Sequence, residues 1–384
     1  MMNYTELFYP PRFAVGPGSI QAITDFTKEA NLTCALIVTD AFLASAPVMA
    51  AVTDVLKKAG IPYYVFDRVI SNPDAATVDR AAALYTEKKC DHFIAVGGGS
   101  PIDVAKGASL VAANGGAIQH YIGVNRTVHQ GVPVIAVNTT AGTGSEVTRA
   151  FVLTNRENHT KAVSLDHHCL VAFAVSDPQL MLDLPGEVTA ATGMDALSHA
   201  VEAYCAVNHN PFTDGLSLQS AGLVNGALLT TLHEPYHLDS RTDMCWAAAL
   251  AGYAFSNSGL GLIHSIGFQL ENICPVPHGQ AVGLFMPYVM DFHRQAIPER
   301  IADLGVACGF TDKSIAAKQV VAHFYEMITA AKIPTLREVG FRADDIPALA
   351  AMAMEDPTLA TNPVQPAVEE VEEIITRAYC NDLQ

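Results

Sequence analysis

The first half of the chain alternates short apolar runs with stretches of helical pattern. The apolar runs begin at Cys34, Ile61, His92 and Pro133. Helical stretches separate them, the first two over residues 46–59 and 74–88. Short apolar strands separated by helices are typical of βαβ units, which pair into a parallel sheet. We therefore expect this half to form an α/β domain with a parallel sheet.

The pattern changes after about Leu180. From there the chain is rich in Ala and Leu and predicts successive helices, over residues 187–203, 214–233, 241–255, 262–272 and 280–292. A chain of 384 residues is long enough for about two domains. We therefore expect the α/β domain over residues 1–182 and an all-α domain over residues 183–384.

Composition excludes several classes of protein. Hydrophobic residues make up 50% of the chain and charged residues 16%, which is incompatible with intrinsic disorder. The net charge of −17 argues against binding to nucleic acid or to an anionic membrane. No run reaches the ~18 apolar residues of a membrane span, and residues 1–11 lack the pattern of a signal peptide. The eight cysteines form no CxxC pair, so we expect reduced, mostly buried thiols and a cytoplasmic protein.

Two loops rich in glycine and hydroxyl residues follow apolar strands. Residues Gly97–Ser100 follow the run that begins at His92, and a helix is expected over 104–113. Glycines before a helix N-terminus favour a bound phosphate, but the G-x-G-x-x-G fingerprint is absent, so an ordinary turn stays equally open. The second loop, residues 138–146, can wrap a pyrophosphate or a ribose. Because both loops follow parallel strands, together they favour a cofactor site.

Asp40 ends the first apolar run. A carboxylate at the end of such a strand can accept hydrogen bonds from an adenosine ribose, which favours NAD over NADP. Taken alone, an aspartate at the end of a strand is more often a turn residue.

One carboxylate and three imidazoles provide the chemistry of a metal site. Asp195 and His199 are spaced i and i+4, which places them on one face of a helix. His264 and His278 follow further along the chain. Such a set suits Fe(II) or Zn(II). An isolated Asp/His pair is more often an ordinary core or surface pair, so this pair alone does not establish the site.

These motifs, in this order, resemble the iron-containing, or group III, alcohol dehydrogenases of the lactaldehyde:propanediol oxidoreductase type. Those proteins share their fold with glycerol dehydrogenase and dehydroquinate synthase. The resemblance runs from Phe13 to Tyr288, and its motifs are Asp40, Asn72-Pro73, Gly97–Asp103, Thr139–Glu146, Asp177-Pro178, Ala190–His199, Phe255–Asn257, Gly261–His264 and Pro277–Gly279. It implies a Rossmann-like, dehydroquinate synthase-like α/β domain that binds NAD and an all-α domain that binds a metal.

The resemblance also implies roles for individual residues. The implied metal ligands, which form the catalytic centre, are Asp195, His199, His264 and His278. The implied dinucleotide contacts are Asp40, Asn72, Gly97, Gly98, Gly99, Ser100, Asp103, Thr139, Thr140, Thr143, Val152 and Lys161. The ion is expected to be Fe(II), with Zn(II) as the alternative. A homodimer or larger homo-oligomer is also expected.

The chain departs from the family pattern near the third ligand. Many members carry a second histidine four residues after it, a candidate proton relay, and this chain has Phe268 there. The proton is then expected to leave through water or through ribose hydroxyls of the cofactor. The substrate pocket is expected among Val147, Arg149, Phe151, Phe255, Gly259 and Phe268.

The predicted function is metal-dependent hydride transfer between NAD(H) and a small primary alcohol or aldehyde. One alternative is the same chemistry on an anionic, sulfonated or phosphonated aldehyde, for which Arg149 is a candidate contact. Another is a polyol dehydrogenase or a dehydroquinate synthase-like lyase, but those relatives typically use three protein ligands. A non-catalytic NAD or metal sensor is disfavoured because the ligand set and the cofactor loops occur together.

Overall fold

The computed structural model describes residues 7–8, 11–156 and 161–383. Their contacts divide the chain into two compact units. The first unit comprises the described residues of 1–140 and 144–182, and the second those of 141–143 and 183–384. Most of segment 1–11, for which the sequence predicts no signal peptide, lies outside the described residues. Within the described part of the chain, no helix has the length and apolar character needed to cross a membrane.

A six-stranded sheet forms the centre of the first unit. In spatial order its strands are β1 (Arg12–Val15), β8 (Phe173–Ser176), β5 (Val134–Asn138), β4 (His92–Gly97), β2 (Ala35–Asp40) and β3 (Tyr63–Val69). Every neighbouring pair is parallel, which confirms the predicted parallel sheet. The sequence analysis missed β1, β8 and a separate antiparallel pair, β6 (Ala150–Thr154) with β7 (Lys161–Leu165).

Helices cover both faces of this sheet. They are α1 (Ala22–Glu29), α2 (Pro47–Ala59), α3 (Ala75–Glu87) and α4 (Gly99–Asn114). Alternate residues of β4 enter two separate cores, with Phe93 and Ala95 on the side of α3 and α4 and Ile94 and Val96 on the side of α2. Because both faces are buried at the centre of the sheet, β2, β4 and β5 appear in the sequence as apolar runs.

Helix α4 begins earlier than expected, at Gly99 instead of Val104. Gly98 is its N-cap, and Pro101 occupies the first turn, where a missing N–H leaves no hydrogen bond unmade. Gly97 has a φ of +150°, and a Cβ there would lie 2.5 Å from Pro101 Cγ. Only glycine therefore allows the strand to pass directly into the helix.

The strand order locates a crevice at the carboxyl edge of the sheet. The chain goes from β2 to β3 on one side and from β4 to β5 on the other, so the direction of winding changes between β2 and β4. In open parallel sheets, ligands bind outside the carboxyl ends of the strands at such a switch point. Asp40 and Gly97 are the last residues of these two strands.

In the described residues of the second unit, all regular secondary structure is helical. Its α-helices are α5 (Gly186–Cys205), α6 (Pro211–His233), α7 (Leu238–Ser258), α8 (Leu262–Ile273), α9 (His278–Ala296), α10 (Pro298–Ala307), α11 (Lys313–Ala330), α12 (Ile346–Met354) and α13 (Val368–Cys380). All five predicted helices are confirmed, with ends shifted by a few residues. Helix α5 packs against α6, α7 and α9 and is buried along nearly its whole length. Polar side chains on α5 therefore lie inside the bundle.

Candidate metal centre and cofactor site

Asp195 and His199 lie on one face of α5, as their spacing predicts. Their exposed fractions are 2% and 4%. Asp195 Oδ1 and His199 Nε2 are 3.5 Å apart, which is too far for a good hydrogen bond between them. The two polar groups are therefore buried side by side without satisfying each other.

Two further helices bring imidazoles to the same carboxylate. His264 lies in the first turn of α8 and His278 is the first residue of α9. Their Nε2 atoms lie 3.8 and 3.4 Å from Asp195 Oδ1. A Cβ at Gly279 would lie 2.0 Å from the Ala191 carbonyl oxygen, so glycine after His278 is what lets α9 start against α5.

The four side chains fit a divalent metal ion. One ligand atom from each of Asp195, His199, His264 and His278 lies within 4.8 Å of all the others. Two ligands each about 2.1 Å from a tetrahedral ion are about 3.4 Å apart, close to the distances from Asp195 Oδ1. Asp195 Oδ1 and His264 Nε2 are buried and have no hydrogen-bond partner in the described part of the chain. A cation between them would satisfy both atoms.

The electrostatics of the cluster also favour a cation. Burial alone would raise the pKa of Asp195, but the imidazoles of His199 and His278 outweigh it and hold that pKa well below its usual range. Burial lowers the pKa of His199 to about 3, so this ring is neutral and offers a lone pair. Burial also opposes charge on His264, yet the Glu202 and Asp195 carboxylates prevail and raise its pKa to about 9. The field at His264 therefore favours positive charge.

Two carboxylates that the sequence analysis missed support the imidazoles. Glu202 Oε2 lies 2.5 Å from His264 Nδ1, and Glu271 Oε1 lies 2.7 Å from His278 Nδ1. Carboxylates behind metal-binding histidines orient the ring and fix its tautomer. Helical spacing could have identified Glu202, because it lies seven residues after Asp195 and shares its face of α5.

Two phenylalanines lie against the imidazoles. Phe255 stacks on His199 with ring centroids 4.3 Å apart, and Phe268 stacks on His278 at 5.0 Å. Both are partly exposed. In contrast, Phe151 is fully buried in the core of the first unit and Val147 is 2% exposed. The place of all of these residues in a substrate pocket stays a prediction.

The predicted cofactor loops meet at the carboxyl edge of the sheet. The Thr139 N–H donates to the Gly97 carbonyl over 3.0 Å, which joins the ends of β5 and β4. A Cβ at Gly98 would lie 2.8 Å from Thr140 Oγ1, so glycine permits this close approach. Gly99 and Ser100 form the first turn of α4. Thr143 is assigned to the second unit, with Ala141 and Gly142.

The remaining predicted cofactor residues bond mainly to one another. Asp103 is half-buried and accepts from Ser145 Oγ over 2.6 Å and from the Val152 N–H over 3.0 Å. The Lys161 ammonium donates to Asn72 Oδ1 over 2.6 Å. The Val152–Asp103 and Lys161–Asn72 contacts tie the β6–β7 pair to α4 and to the loop between β3 and α3.

Two roles were considered for Asp40, as a turn residue and as an acceptor for the adenosine ribose. Its Oδ1 accepts from the N–H groups of Phe42 and Leu43, each over 2.9 Å, as in a turn. It also ends β2 at the switch point, where a ribose is expected.

Beneath the second loop lies a buried polar group that sequence analysis missed. Lys106 on α4 is fully buried and donates to the carbonyl oxygens of Ser145, Thr148 and Ala150. Glu146 is also fully buried, and its Oε1 accepts from Asn138 Nδ2 over 3.1 Å. Burial raises the pKa of Glu146 to about 7.

The raised pKa of Glu146 predicts a pH-dependent stability. The ordinary value is 4.5, so the stabilising contribution of its bound proton is complete below that pH and is lost as pH rises through about 7. We expect E146Q to match the wild type near pH 5 and to exceed its unfolding free energy near pH 8, by on the order of 3 kcal/mol. Urea unfolding at both pH values measures this difference. The matched control is E87Q, at an exposed position, and parallel pH curves for wild type and E146Q would contradict the prediction.

Comparisons with known proteins extend over the whole of both units. Residues 10–178 match the family model described as iron-containing alcohol dehydrogenase, and residues 189–379 match that for the C-terminal part of the family. Alcohol dehydrogenase 4 of Saccharomyces cerevisiae is 35% identical, covering 99% of this chain and 100% of that protein. NAD-dependent methanol dehydrogenase of Bacillus methanolicus is 36% identical, with coverage of 97% and 100%. A crystal structure of 1,3-propanediol oxidoreductase matches with a TM-score of 0.95 at 34% identity, covering 98% of this chain and 100% of that one.

Proposed function

The chain belongs to the iron-containing alcohol dehydrogenase family, and we propose that it transfers a hydride reversibly between NAD(H) and a small primary alcohol or its aldehyde. The observation that carries this proposal is the cluster of one carboxylate and three imidazoles. Two of its buried atoms, Asp195 Oδ1 and His264 Nε2, have no hydrogen-bond partner among the described residues. Such a cluster is difficult to explain without a cation.

We assign the metal ligands to Asp195, His199, His264 and His278. When bound, a divalent ion supplies Lewis-acid polarisation of an alcohol or carbonyl oxygen. Asp195 contributes the negative charge of the set, and the low pKa of His199 keeps that ring neutral. The ligand types suit Fe(II), with Zn(II) as the alternative.

Two phenylalanines next to this centre limit the routes by which a proton can leave it. Phe255 stacks on the ring of His199, and Phe268 stacks on the ring of His278. A phenylalanine ring holds no exchangeable proton, so Phe268 cannot relay the proton of the alcohol. We therefore propose that the proton leaves through water or through ribose hydroxyls of the cofactor.

The first unit is proposed to bind NAD at the switch point between β2 and β4. The N-terminus of α4 offers N–H groups to the pyrophosphate, and Gly97 and Gly98 allow close approach. The Asp40 carboxylate is proposed to accept from the adenosine ribose and to repel the 2′-phosphate of NADP. All twelve dinucleotide contacts named above remain predictions.

Two further properties, the cellular compartment and the oligomeric state, are also proposed. All eight cysteines are free thiols, which supports a reducing compartment such as the cytoplasm. Self-association into a homodimer or larger homo-oligomer stays a prediction from the family resemblance.

The proposed function predicts a specific pattern of cofactor and substrate use. We expect protein loaded anaerobically with Fe(II), or with Zn(II), to reduce small neutral aldehydes with NADH and to yield the primary alcohol. The kcat/KM for NADH should exceed that for NADPH by about tenfold or more, because 1.4 kcal/mol of repulsion at Asp40 suffices for that ratio. Initial rates with both cofactors, followed by product analysis, measure the pattern.

Other outcomes of this assay identify the alternatives. Turnover confined to sulfonated or phosphonated aldehydes would support the anionic substrate class, and turnover confined to polyols would support a polyol dehydrogenase. Equal kcat/KM for the two cofactors would contradict the role of Asp40. No turnover by metal-loaded protein with any substrate would contradict the proposed function.

A further inference from the structure

Glu202 contacts both the ring and the backbone of the turn that carries His264. Its side chain is 1% exposed and lies on α5, one turn after His199. One oxygen, Oε2, lies 2.5 Å from His264 Nδ1. The other, Oε1, accepts from the Ile263 N–H over 2.6 Å and from the His264 N–H over 3.4 Å. A single carboxylate thus contacts three donors in two adjacent residues.

These contacts cap the start of α8. The first N–H groups of a helix have no partner inside it. The Leu262 N–H donates to Asn362 Oδ1 over 2.9 Å, and the Ile263 N–H donates to Glu202. A Cβ at Gly261 would lie 2.5 Å from Asn362 Oδ1 and 3.2 Å from Glu202 Oε1, so glycine leaves room for both acceptors. The backbone position of His264 therefore depends on Glu202.

The same carboxylate determines which ring nitrogen faces the cluster. A carboxylate only accepts hydrogen bonds, so His264 Nδ1 keeps its proton. Nε2 is then the nitrogen left to bind an ion, and it is the atom that lies 3.8 Å from Asp195 Oδ1. We propose that Glu202 is a positioning residue that holds His264 ready for the metal and so sets the metal affinity of the site without touching the ion. This inference rests on the ligand assignment of the proposed function.

Glutamine at position 202 cannot reproduce these contacts. An amide offers one acceptor oxygen and one NH₂ donor. If the oxygen faces Ile263, the NH₂ group faces His264 Nδ1 and favours the tautomer that protonates the metal-binding Nε2. If the oxygen faces His264, the NH₂ group opposes the Ile263 N–H. The first orientation protonates the nitrogen that would bind the ion, and the second leaves the Ile263 N–H without its acceptor.

Glu271 provides a matched control. Its side chain is 3% exposed, and it makes the corresponding contact with His278 Nδ1. That contact needs one acceptor oxygen, which a glutamine also supplies. The substitutions E202Q and E271Q each remove one carboxylate charge, 2.5 Å from His264 Nδ1 and 2.7 Å from His278 Nδ1. Only E202Q also disturbs the acceptor of the Ile263 N–H.

We expect E202Q to weaken Zn(II) binding by about 10–100-fold, the usual effect of losing such a partner. E271Q should weaken Zn(II) binding less than E202Q does, because a glutamine at position 271 keeps the one acceptor oxygen that His278 Nδ1 needs. The experiment is chelator competition with Zn(II) on metal-free protein, with circular dichroism and the Tm of each metal-free variant as controls for folding. A residue that only supported the fold would lower the Tm of the metal-free protein and leave the Zn(II) affinity of folded protein unchanged.

The H264A variant separates failure of this inference from failure of the ligand assignment. If H264A binds Zn(II) as the wild type does, the ligand assignment is wrong. If H264A loses the ion while E202Q binds it as tightly as E271Q does, the role of Glu202 is overturned. Should E202Q fail to fold, E202D keeps the carboxylate but is one methylene too short to reach both donors. It should bind Zn(II) more weakly than the wild type, and wild-type affinity in E202D would overturn the proposal.

Discussion

Replacing His264 with alanine is expected to abolish tightly bound metal and to lower kcat/KM for aldehyde reduction by about 1,000-fold or more. The loss corresponds to about 4 kcal/mol of transition-state stabilisation, the size expected when Lewis-acid catalysis is removed. His264 is fully buried, its Nε2 has no other partner in the described chain, and its removal also leaves Glu202 without the ring it accepts from. Metal content by mass spectrometry and steady-state kinetics on the same preparation measure both effects.

A second buried histidine supplies the control for this variant. His293 on α9 is also fully buried and lies outside the ligand cluster. H293L should retain the ion and most of the activity, although it changes a buried imidazole in the same unit. Full metal content and near wild-type kcat/KM in H264A would contradict the proposed centre, whereas equal losses in both variants would indicate a general effect on folding.

The sequence predicts what depends on local spacing. The i and i+4 positions of Asp195 and His199 suffice to place both on one helix face, and α5 has that geometry. The alternation of apolar runs with helical stretches suffices to predict a parallel sheet, and the sheet that contains β2, β4 and β5 is parallel. Spacing cannot show that α8 and α9 approach α5. The prediction that His264 and His278 bind the same ion as Asp195 therefore depended on the family resemblance.

The features that sequence analysis missed depend on tertiary contacts. Glu202 and Glu271 look like ordinary helical glutamates until the fold places an imidazole against each of them. The early start of α4 was missed because three consecutive glycines suggest a loop. Of the three, only Gly97 has a positive φ, and Gly99 is already helical. Lys106 lies in an apolar helix and was not singled out, because the carbonyls it binds come from a distant loop.

Replacing Lys106 with methionine is expected to lower the free energy of unfolding by about 3–5 kcal/mol. Methionine matches the length of the side chain and removes its donors, which leaves the carbonyl oxygens of Ser145, Thr148 and Ala150 without the ammonium. Burial lowers the pKa of Lys106, and the nearby Cys169, Asp103 and Glu146 oppose that effect. The variant therefore loses hydrogen bonds and a neighbouring charge in a region from which water is excluded.

Urea unfolding followed by circular dichroism measures this loss, and K57M is its control. Lys57 is 62% exposed and pairs with Asp54 at 3.0 Å on the surface of α2, so its removal should leave the urea midpoint of unfolding nearly unchanged. Replacement of lysine by methionine should thus lower the free energy of unfolding several-fold more at position 106 than at position 57. If K106M unfolds at the same urea concentration as K57M, these carbonyls find other donors and Lys106 does not hold residues 145–150 in place. If K106M is destabilised as expected, the loop over residues 145–150 is anchored from beneath by one ammonium group, and its conformation should not require bound NAD.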